Sequence, residues 1–486
     1  MSLRRVDARF VLPRSPARAC VLGSVDGWED GLRLAHIELA SEENAPELMV
    51  APATHARLAA ASGAPTVLIE GRGARRTLAR VYPLVERFLP IPSLVEPHLI
   101  LPLGHPRAGD YAVRHWSLAQ DLRRRARNRA GRWLLAHRSL PEIRPVITVG
   151  AHGTTEPFLL QAARPLGVSE GCEWFLTLGS ADPLTRGVFH VFPADALEPS
   201  WVLKFTRVPG YAEPFERDER GLGVARSGGE VVARRAPRSL GRFEAAGFAA
   251  ALETAAVGSR LTHLLQGRSP RADKVRAIDA IADWTLQAAL STSAPPSRLD
   301  AERRRLAEEV VPSWSAMGVP EGFVDRVGAV PAVLQHNDLG SWNIVVRSLT
   351  DFTAVDWESA RAHGLPLWDL VYFLVDALTH LDGASPTEQR DAHNQRLFRG
   401  ELPSSAILFR WLRRTVEALA IPEESVSALV TLCWLHHGLS GEQRRATLDA
   451  RVPGGGLRGL SDAERIARLW LTAPGLGVGW DTWRTR

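Results

Sequence analysis

The chain is poor in cysteine and contains no long hydrophobic run. Its 486 residues include three scattered cysteines, Cys20, Cys172 and Cys433, an odd number that argues against a disulfide framework or a zinc site. There is no stretch of about 18 uncharged apolar residues of the kind that spans a membrane. The first residues carry arginines but only a broken apolar run, unlike a signal peptide. These features predict a globular protein of the reducing cytoplasm.

Lysine is also nearly missing. The only two are Lys204 and Lys274, and every other strong base is arginine. Codon usage in a GC-rich genome accounts for such a bias. Because lysine is a compact point charge and arginine a wide planar fork, a lysine kept against the bias is a candidate for a functional position. The net charge of +5 permits an anionic ligand such as a nucleotide without requiring nucleic acid, and no nucleic-acid partner is expected.

Three stretches of different character follow one another along the chain. Residues 1–140 alternate short apolar runs with arginine-rich helical segments, which indicates an α/β region. Residues 171–254 predict the order strand, strand, strand, helix, strand, strand. From about 275 onward the pattern is mainly helical, apart from a strand-rich island at 332–360.

The island carries the strongest chemical motif, because it spaces His336, Asp338 and Asn343 as H-x-D-x-x-x-x-N. Asp356 follows in TAVDWE after the next pair of apolar runs. Phosphoryl transfer needs a carboxylate to orient the attacking group and oxygen ligands to hold magnesium against the phosphates. The pattern therefore favours that chemistry over the alternative, a polar turn whose side chains only make turn hydrogen bonds.

LQHNDLGSWNIVV, VDWE and GLPLWDLVYFL together resemble the catalytic segments of the aminoglycoside phosphotransferase and choline kinase group. The resemblance implies a protein-kinase-like fold. It also implies that Asp338 is the catalytic base or positioner, that Asn343 and Asp356 bind Mg²⁺, and that His336 is mainly structural. By the same analogy, Asp369 braces the catalytic loop.

A kinase-like small lobe places a lysine on its third strand and a glutamate on the following helix. Lys204 lies in WVLKFT, the third strand-like run, between apolar neighbours. Its expected role is to hold the α- and β-phosphates of ATP or GTP. Of Glu213, Glu216 and Glu219, the resemblance favours Glu219 as the partner, with Glu216 second.

The loop LGSADPLTRGVF between the first two of these strands is expected to cover the phosphates with backbone N–H groups and with the Ser180 hydroxyl. Gly179 and Ser180 are the predicted contacts. The loop lacks the spacing G-x-G-x-x-G, so an ordinary hairpin loop remains the alternative. LETAAVGSRL at 252–261 resembles the hinge that meets the adenine.

Two features outside this region suggest other functions. VLIEGRGARRTL at 67–78 has a strand, a glycine turn and a helix, but it lacks the third glycine of a dinucleotide site. The basic segment 121–138 leaves peripheral membrane contact open, against the plainer interpretation of a solvated basic helix. His436 and His437 are expected to have packing or surface roles.

We therefore predict an α+β protein with a bilobal kinase-like fold. An N-terminal α/β extension spans 1–140, the small lobe 145–255 and the helical large lobe 256–486. The predicted activity is transfer of the γ-phosphoryl group of Mg-ATP or Mg-GTP to a hydroxyl of a small molecule. The alternatives are a protein kinase, which the missing D-F-G and A-P-E segments disfavour, a non-catalytic scaffold, and a membrane- or polymer-binding protein acting through its basic N-terminal region.

Overall fold

A computed structural model describes residues 5–23, 25, 27–41, 44–116, 145–179, 184–384, 387–451 and 460–473. The described chain mixes α-helices with a large β-sheet and forms two compact units. Unit 1 comprises 1–215, 238–255 and 448–456, and unit 2 comprises 216–237, 256–447 and 457–486. The basic segment 121–138 and Ser180 lie outside the described residues.

Unit 1 is built on one 12-stranded sheet. Its strands are β1 (Arg18–Val21), β2 (Glu38–Leu39), β3 (Leu48–Pro52), β4 (Thr66–Gly71), β5 (Leu84–Ile91), β6 (Leu99–Pro102), β7 (Val146–Ala151), β8 (Glu173–Thr177), β9 (Gly187–Phe192), β10 (Trp201–Phe205), β11 (Ser239–Ala245) and β12 (Phe248–Thr254). They lie side by side in the order β11-β12-β10-β9-β8-β6-β5-β7-β4-β3-β1-β2.

Short helices accompany this sheet: α1 (Trp28–Leu34), α2 (Ala56–Ala61), α3 (Arg75–Leu78), α4 (Pro106–His115) and α5 (Phe158–Ala162). The strands β2, β1, β3 and β4 run parallel, and the remaining pairs are antiparallel. Along β4, Leu68 packs into one hydrophobic cluster, whereas Val67 and Ile69 pack into another. Burial on both faces is what a parallel sheet needs, and it explains the near-continuous apolar run VLI.

The sheet contains strands from two ranges that the sequence analysis assigned to separate domains, 1–140 and 145–255. β6, from the range 1–140, hydrogen-bonds to β8, and β7 lies between β4 and β5. The predicted order of three strands, a helix and two strands is present as β8, β9, β10, a helix, β11 and β12, with one additional short helix. The predicted extension and the predicted strands of the small lobe thus share one hydrogen-bonded sheet, which period-2 patterns within single strands do not reveal.

Unit 2 is mainly helical. Its helices are α6 (Glu213–Ser227, which begins in unit 1), α7 (Glu230–Ala233), α8 (Leu261–Gln266), α9 (Arg271–Ser291), α10 (Asp300–Arg305), α11 (Val311–Ser313), α12 (Trp368–Leu381), α13 (Thr387–Phe398), α14 (Ser405–Ala418), α15 (Glu423–Arg451) and α16 (Asp462–Thr472). The strands β13 (Ser259–Arg260), β15 (Ile344–Val346) and β16 (Phe352–Ala354) form one small sheet, and β14 (Val333–Gln335) pairs with β17 (Arg361–Gly364).

The core of unit 2 surrounds α12, which is apolar on most sides and packs against α9, α8, α13 and α14. α6 reaches this core because glycines permit a close approach. A Cβ at Gly221 would lie 1.7 Å from the carbonyl oxygen of Trp357, and one at Gly228 would lie 2.6 Å from the Leu334 side chain. The predicted small lobe, 145–255, includes all of α6. In the structure, most of α6 belongs to unit 2.

Within the described part of the chain, no single helix combines the length and hydropathy of a membrane span; α14 and α15 meet that test only as a pair, bent by 119°.

Candidate active site

The segment 336–343 links β14 to β15 and carries the motif residues. His336 follows the last residue of β14, and Asn343 ends a 3₁₀ turn, Ser341–Asn343, immediately before β15. Asp356 comes just after β16, the antiparallel partner of β15. The backbone N–H of Val355 donates to the carbonyl oxygen of Asn343 at 2.8 Å, which ties the two segments together.

Asp369, in the first turn of α12, holds this loop by its backbone. The N–H of His336 donates to Asp369 Oδ2 at 2.6 Å, and the N–H of Asn337 donates to Oδ1 at 2.8 Å. Burial raises the pKa of Asp369 to about 6, and these two hydrogen bonds act in the opposite direction. The contacts are those of the loop-bracing residue that the resemblance implies.

Replacing Asp369 should therefore loosen the loop. Asp369→Ala leaves two backbone N–H groups without their acceptors, and we expect it to lower the free energy of unfolding by about 2–4 kcal/mol, since each unsatisfied buried group costs about 1–3 kcal/mol. Asp369→Asn keeps one acceptor oxygen and should cost less. Urea unfolding measures both. An alanine variant as stable as the native chain would contradict the bracing role.

Asp338 lies at the centre of the loop and is surrounded by other acids. The amide Nδ2 of Asn343 donates to Asp338 Oδ2 at 3.0 Å and to its carbonyl oxygen at 2.9 Å. Burial raises the pKa of Asp338 well above its usual range, and the charges of Asp356 and Glu358 raise it further, while hydrogen bonds from Asn343 and Tyr372 lower it. The carboxyl groups of Asp338, Asp356 and Glu358 are therefore close enough to influence one another's charge.

These groups suit a divalent cation such as Mg²⁺. They supply hard carboxylate and amide oxygens, the ligand type that magnesium prefers. Because Nδ2 of Asn343 faces Asp338, its Oδ1 is the amide atom left for a cation. Among the described residues, no three histidine, cysteine or acidic side chains form a metal cluster by themselves. The predicted ligands Asn343 and Asp356 would therefore need oxygens from the nucleotide or water.

Two loop residues adopt the left-handed backbone conformation that most side chains avoid. Asn337 has φ +64° and Asp356 has φ +68°. Asn and Asp tolerate this region better than other residues, but each position still costs free energy unless its surroundings fix it. Of these two positions, Asn337 immediately precedes Asp338 and Asp356 is a predicted metal ligand.

Three polar residues on α12 face the loop. Asp369, Tyr372 and Asp376 are spaced by three and four residues, so they share one side of an otherwise apolar helix. The N–H of Ser341 donates to Asp376 Oδ2 at 2.8 Å. Burial raises the pKa of Tyr372 well above its usual range, and the negative charges of Asp338 and Asp376 raise it further. Motif comparison missed Tyr372 and Asp376, although their spacing in WDLVYFLVDALTHL could have revealed them.

Arg260 is a further residue that the motifs did not reveal. It lies on β13. Burial lowers the pKa of Arg260, and the negative charge of Asp356 raises it by a smaller amount. Nothing in LETAAVGSRL indicates that this arginine reaches the predicted metal ligand, because the pairing of β13 with β15 is a long-range contact.

Histidines support the loop in neutral form. His336 Nε2 lies 3.0 Å from the carbonyl oxygen of Val355, which requires a proton on Nε2, and burial lowers its pKa to about 4. Asn337 Nδ2 donates to His436 Nε2 at 3.0 Å, and His437 stacks on Tyr372 with ring centroids 3.9 Å apart. Burial lowers the pKa of both adjacent histidines, which favours their neutral form.

In unit 1, Lys204 lies near the end of β10 with its side chain 10% exposed. Its Nζ is 2.8 Å from Glu253 Oε1, a carboxylate on the neighbouring strand β12 that is 3% exposed. The register pairs Val202 with Glu253 and Lys204 with Ala251, so the ion pair is a diagonal contact on one face of the sheet. Sequence patterns missed this glutamate, and the predicted pairing with Glu219 stays a prediction.

Gly179 follows β8 with φ +62°, and a Cβ there would lie 2.3 Å from Thr185 Cγ2. Its carbonyl oxygen lies 3.3 Å from His98 Nδ1. The position therefore demands glycine for reasons of backbone conformation and close packing. Its predicted contact with phosphate stays a prediction.

No family model matches this chain, and no curated protein matches its sequence. Among solved structures, it is similar to an aminoglycoside-3'-phosphotransferase of type VIII at 16% identity and a TM-score of 0.35, over 57% of this chain and 98% of that one. It is also similar to WbdD, a bifunctional kinase-methyltransferase, at 11–12% identity and a TM-score of 0.27, over 86% of this chain and 87–88% of that one.

Proposed function

We propose that this protein is a phosphotransferase that moves the γ-phosphoryl group of Mg-ATP or Mg-GTP to a hydroxyl of a small molecule. The observation that carries the proposal is the part-buried carboxylate of Asp338, which is hydrogen-bonded to Asn343 and close to Asp356 on a loop that Asp369 fixes. Acceptor positioning and charge neutralisation are the main demands of phosphoryl transfer, and this set of residues suits both.

Asp338 is the proposed proton acceptor. The acceptor oxygen forms a bond to the γ-phosphorus while the bond from that phosphorus to the β–γ bridging oxygen breaks and the nucleoside diphosphate leaves. The hydroxyl proton passes to the Asp338 carboxylate, whose raised pKa makes it a better base than an ordinary aspartate. Mg²⁺, held by Asn343 and Asp356, would neutralise charge on the phosphates.

The proposal includes the nucleotide contacts predicted from the sequence. Lys204 would hold the α- and β-phosphates, and Gly179 and Ser180 would cover them. Glu219 would orient Lys204 alongside the observed Glu253. These assignments rest on the resemblance of the sequence segments.

Thermal unfolding tests the proposal directly. Melting temperatures would be measured with Mg-ATP, with Mg-GTP, with each nucleotide plus EDTA, and without nucleotide. A ligand at 100 times its Kd stabilises the folded state by about 2.7 kcal/mol. For a unit of about 150–250 residues, this raises the melting temperature by about 5–10 °C. We expect one nucleotide to produce such a shift, and EDTA to remove most of it.

Asp356→Asn is the informative variant, because asparagine accepts the positive φ of this position while the charge is lost. It should abolish most of the magnesium-dependent shift. Asp351→Asn is the matched control, since Asp351 lies in the same hairpin but its side chain is 59% exposed and pairs with Arg235. No shift with either nucleotide at millimolar concentration, or an equal shift in the Asp356 variant, would overturn the proposal.

A further inference from the structure

A cavity that is open to solvent lies in unit 2 beside the loop 336–343. Its walls come from α12, α13, α15, α16 and Trp342 of the loop. Two of its lining residues contact the loop: Tyr372 hydrogen-bonds to Asp338, and Asp376 accepts the N–H of Ser341. A molecule in this cavity would therefore lie against Tyr372, which hydrogen-bonds to the proposed proton acceptor.

One wall of the cavity is aromatic. Trp342 is 37% exposed although it is large and apolar, and it meets the ring of Tyr372 edge to face at 6.0 Å. Trp434 lies behind Tyr372, with ring centroids 6.1 Å apart. An exposed tryptophan at the mouth of a cavity offers a flat apolar face to a ligand at low cost in conformational entropy.

Three residues that line the cavity each carry one buried polar atom for which the described residues supply no hydrogen-bond partner. Asn394 is 3% exposed and Trp434 is 1% exposed. Asn394 Oδ1 and Trp434 Nε1 are buried and have no hydrogen-bond partner in the described parts of the chain, and the same holds for Nε of Arg390. Buried polar atoms are normally hydrogen-bonded, so one acceptor and two donors around a cavity suggest a ligand that offers both donors and acceptors.

The charges of the cavity are already matched in pairs. Arg465 donates to Asp462 at 2.6 Å and lies 3.5 Å from Asp391, while Arg390 also pairs with Asp462. A cationic ligand would have to compete with these arginines, and an anionic ligand with these aspartates. Asp376, the remaining acid, accepts the Ser341 N–H and lies 3.4 Å from His380 Nε2. The arrangement favours a neutral ligand.

We propose that this cavity binds a neutral sugar ring, which serves as the phosphoryl acceptor. The apolar C–H face of the ring would lie on Trp342, and its hydroxyls would bond to Asn394, Trp434 and Arg390. The acceptor role rests on the proposed function. Binding of the sugar does not, because the cavity residues lie outside the predicted nucleotide and metal ligands.

Saturation-transfer NMR without nucleotide tests this proposal. The probes are a panel of neutral mono- and disaccharides, with choline and spermidine as cationic probes. We expect at least one saccharide to show saturation transfer and the cations to show none. Asn394→Ala should weaken saccharide binding about five- to tenfold, the effect of about one hydrogen bond, and Trp342→Ala should abolish it.

Gln395→Ala is the matched control, because this amide lies on the same helix but does not line the cavity; its saccharide affinity should equal that of the native chain. If Trp342→Ala fails to fold, Trp342→Phe keeps an aromatic face and should reduce affinity only in part. Binding of the cations in preference to saccharides, or no saccharide binding at about 50-fold molar excess and above, would overturn the proposal. The saccharide test uses neither nucleotide nor magnesium, so failure of the nucleotide test and failure of this one are separate results.

Discussion

Asp338→Asn should lower the rate of phosphoryl transfer by about two to four orders of magnitude, the usual contribution of a positioned acid or base, while raising the stability of the metal-free protein. The rate falls because an amide cannot accept the acceptor's proton. Stability rises because the native carboxylate is buried beside Asp356 and Glu358, which disfavours its charged form.

The stability effect should depend on pH in a defined direction. The pKa of Asp338 is higher in the folded chain than in the unfolded chain, where an aspartate titrates at about 3.9. The folded state therefore binds this proton more tightly, and stability is lost as pH rises from the unfolded pKa toward the folded one. The amide of the Asp338→Asn variant does not titrate, so the stability advantage of the variant should be larger at about pH 8 than at about pH 5.

Melting temperatures at both pH values with EDTA present measure the stability effect, and turnover with the acceptor found by screening measures the rate. The rate of nucleotide hydrolysis without acceptor, measured for the native chain and the variant, is a second readout of activity. Asp325→Asn is the matched control, because this aspartate of unit 2 is exposed. A variant that keeps more than a tenth of the native rate would remove Asp338 from the role of proton acceptor.

The local part of the candidate site is encoded in short segments of the sequence. The spacing from His336 to Asn343 and the bracing position of Asp369 follow from motifs a few residues long, and the structure brings these residues together. Packing or surface roles were expected for His436 and His437; both are buried, and burial lowers the pKa of each.

The contacts that sequence analysis missed join distant segments. Glu253 meets Lys204 only because β12 pairs with β10 in one particular register, and Arg260 approaches Asp356 only because β13 joins β15. A one-residue shift of either register would turn these side chains to the other face. Hydrophobic periodicity reports which face of a strand is buried, but it does not identify the neighbouring strand, so the continuous sheet of unit 1 could not be predicted either.

Gly221 and Gly223 should respond to alanine in opposite directions, although both lie inside α6. A Cβ at Gly221 would lie 1.7 Å from the carbonyl oxygen of Trp357, a backbone atom, so Gly221→Ala must push apart the helix and the residue that follows Asp356. Gly223 has nothing within 4 Å of an added Cβ. Gly223→Ala should therefore stabilise the protein by about 0.5–1 kcal/mol through helix propensity and the loss of unfolded-state freedom.

For Gly221→Ala we expect the same gain to be outweighed by overpacking, which costs about 1–3 kcal/mol. Its melting temperature should therefore fall below that of the Gly223 variant by about 2–12 °C. The displacement should also move Asp356 and reduce the magnesium-dependent thermal shift, which Gly223→Ala should leave unchanged. Denaturation of the two variants side by side separates packing from propensity, since both exchange glycine for alanine in one helix. Equal melting temperatures would mean that α6 does not press on the segment that carries the metal ligand, and the close approach at Gly221 would then not support the site.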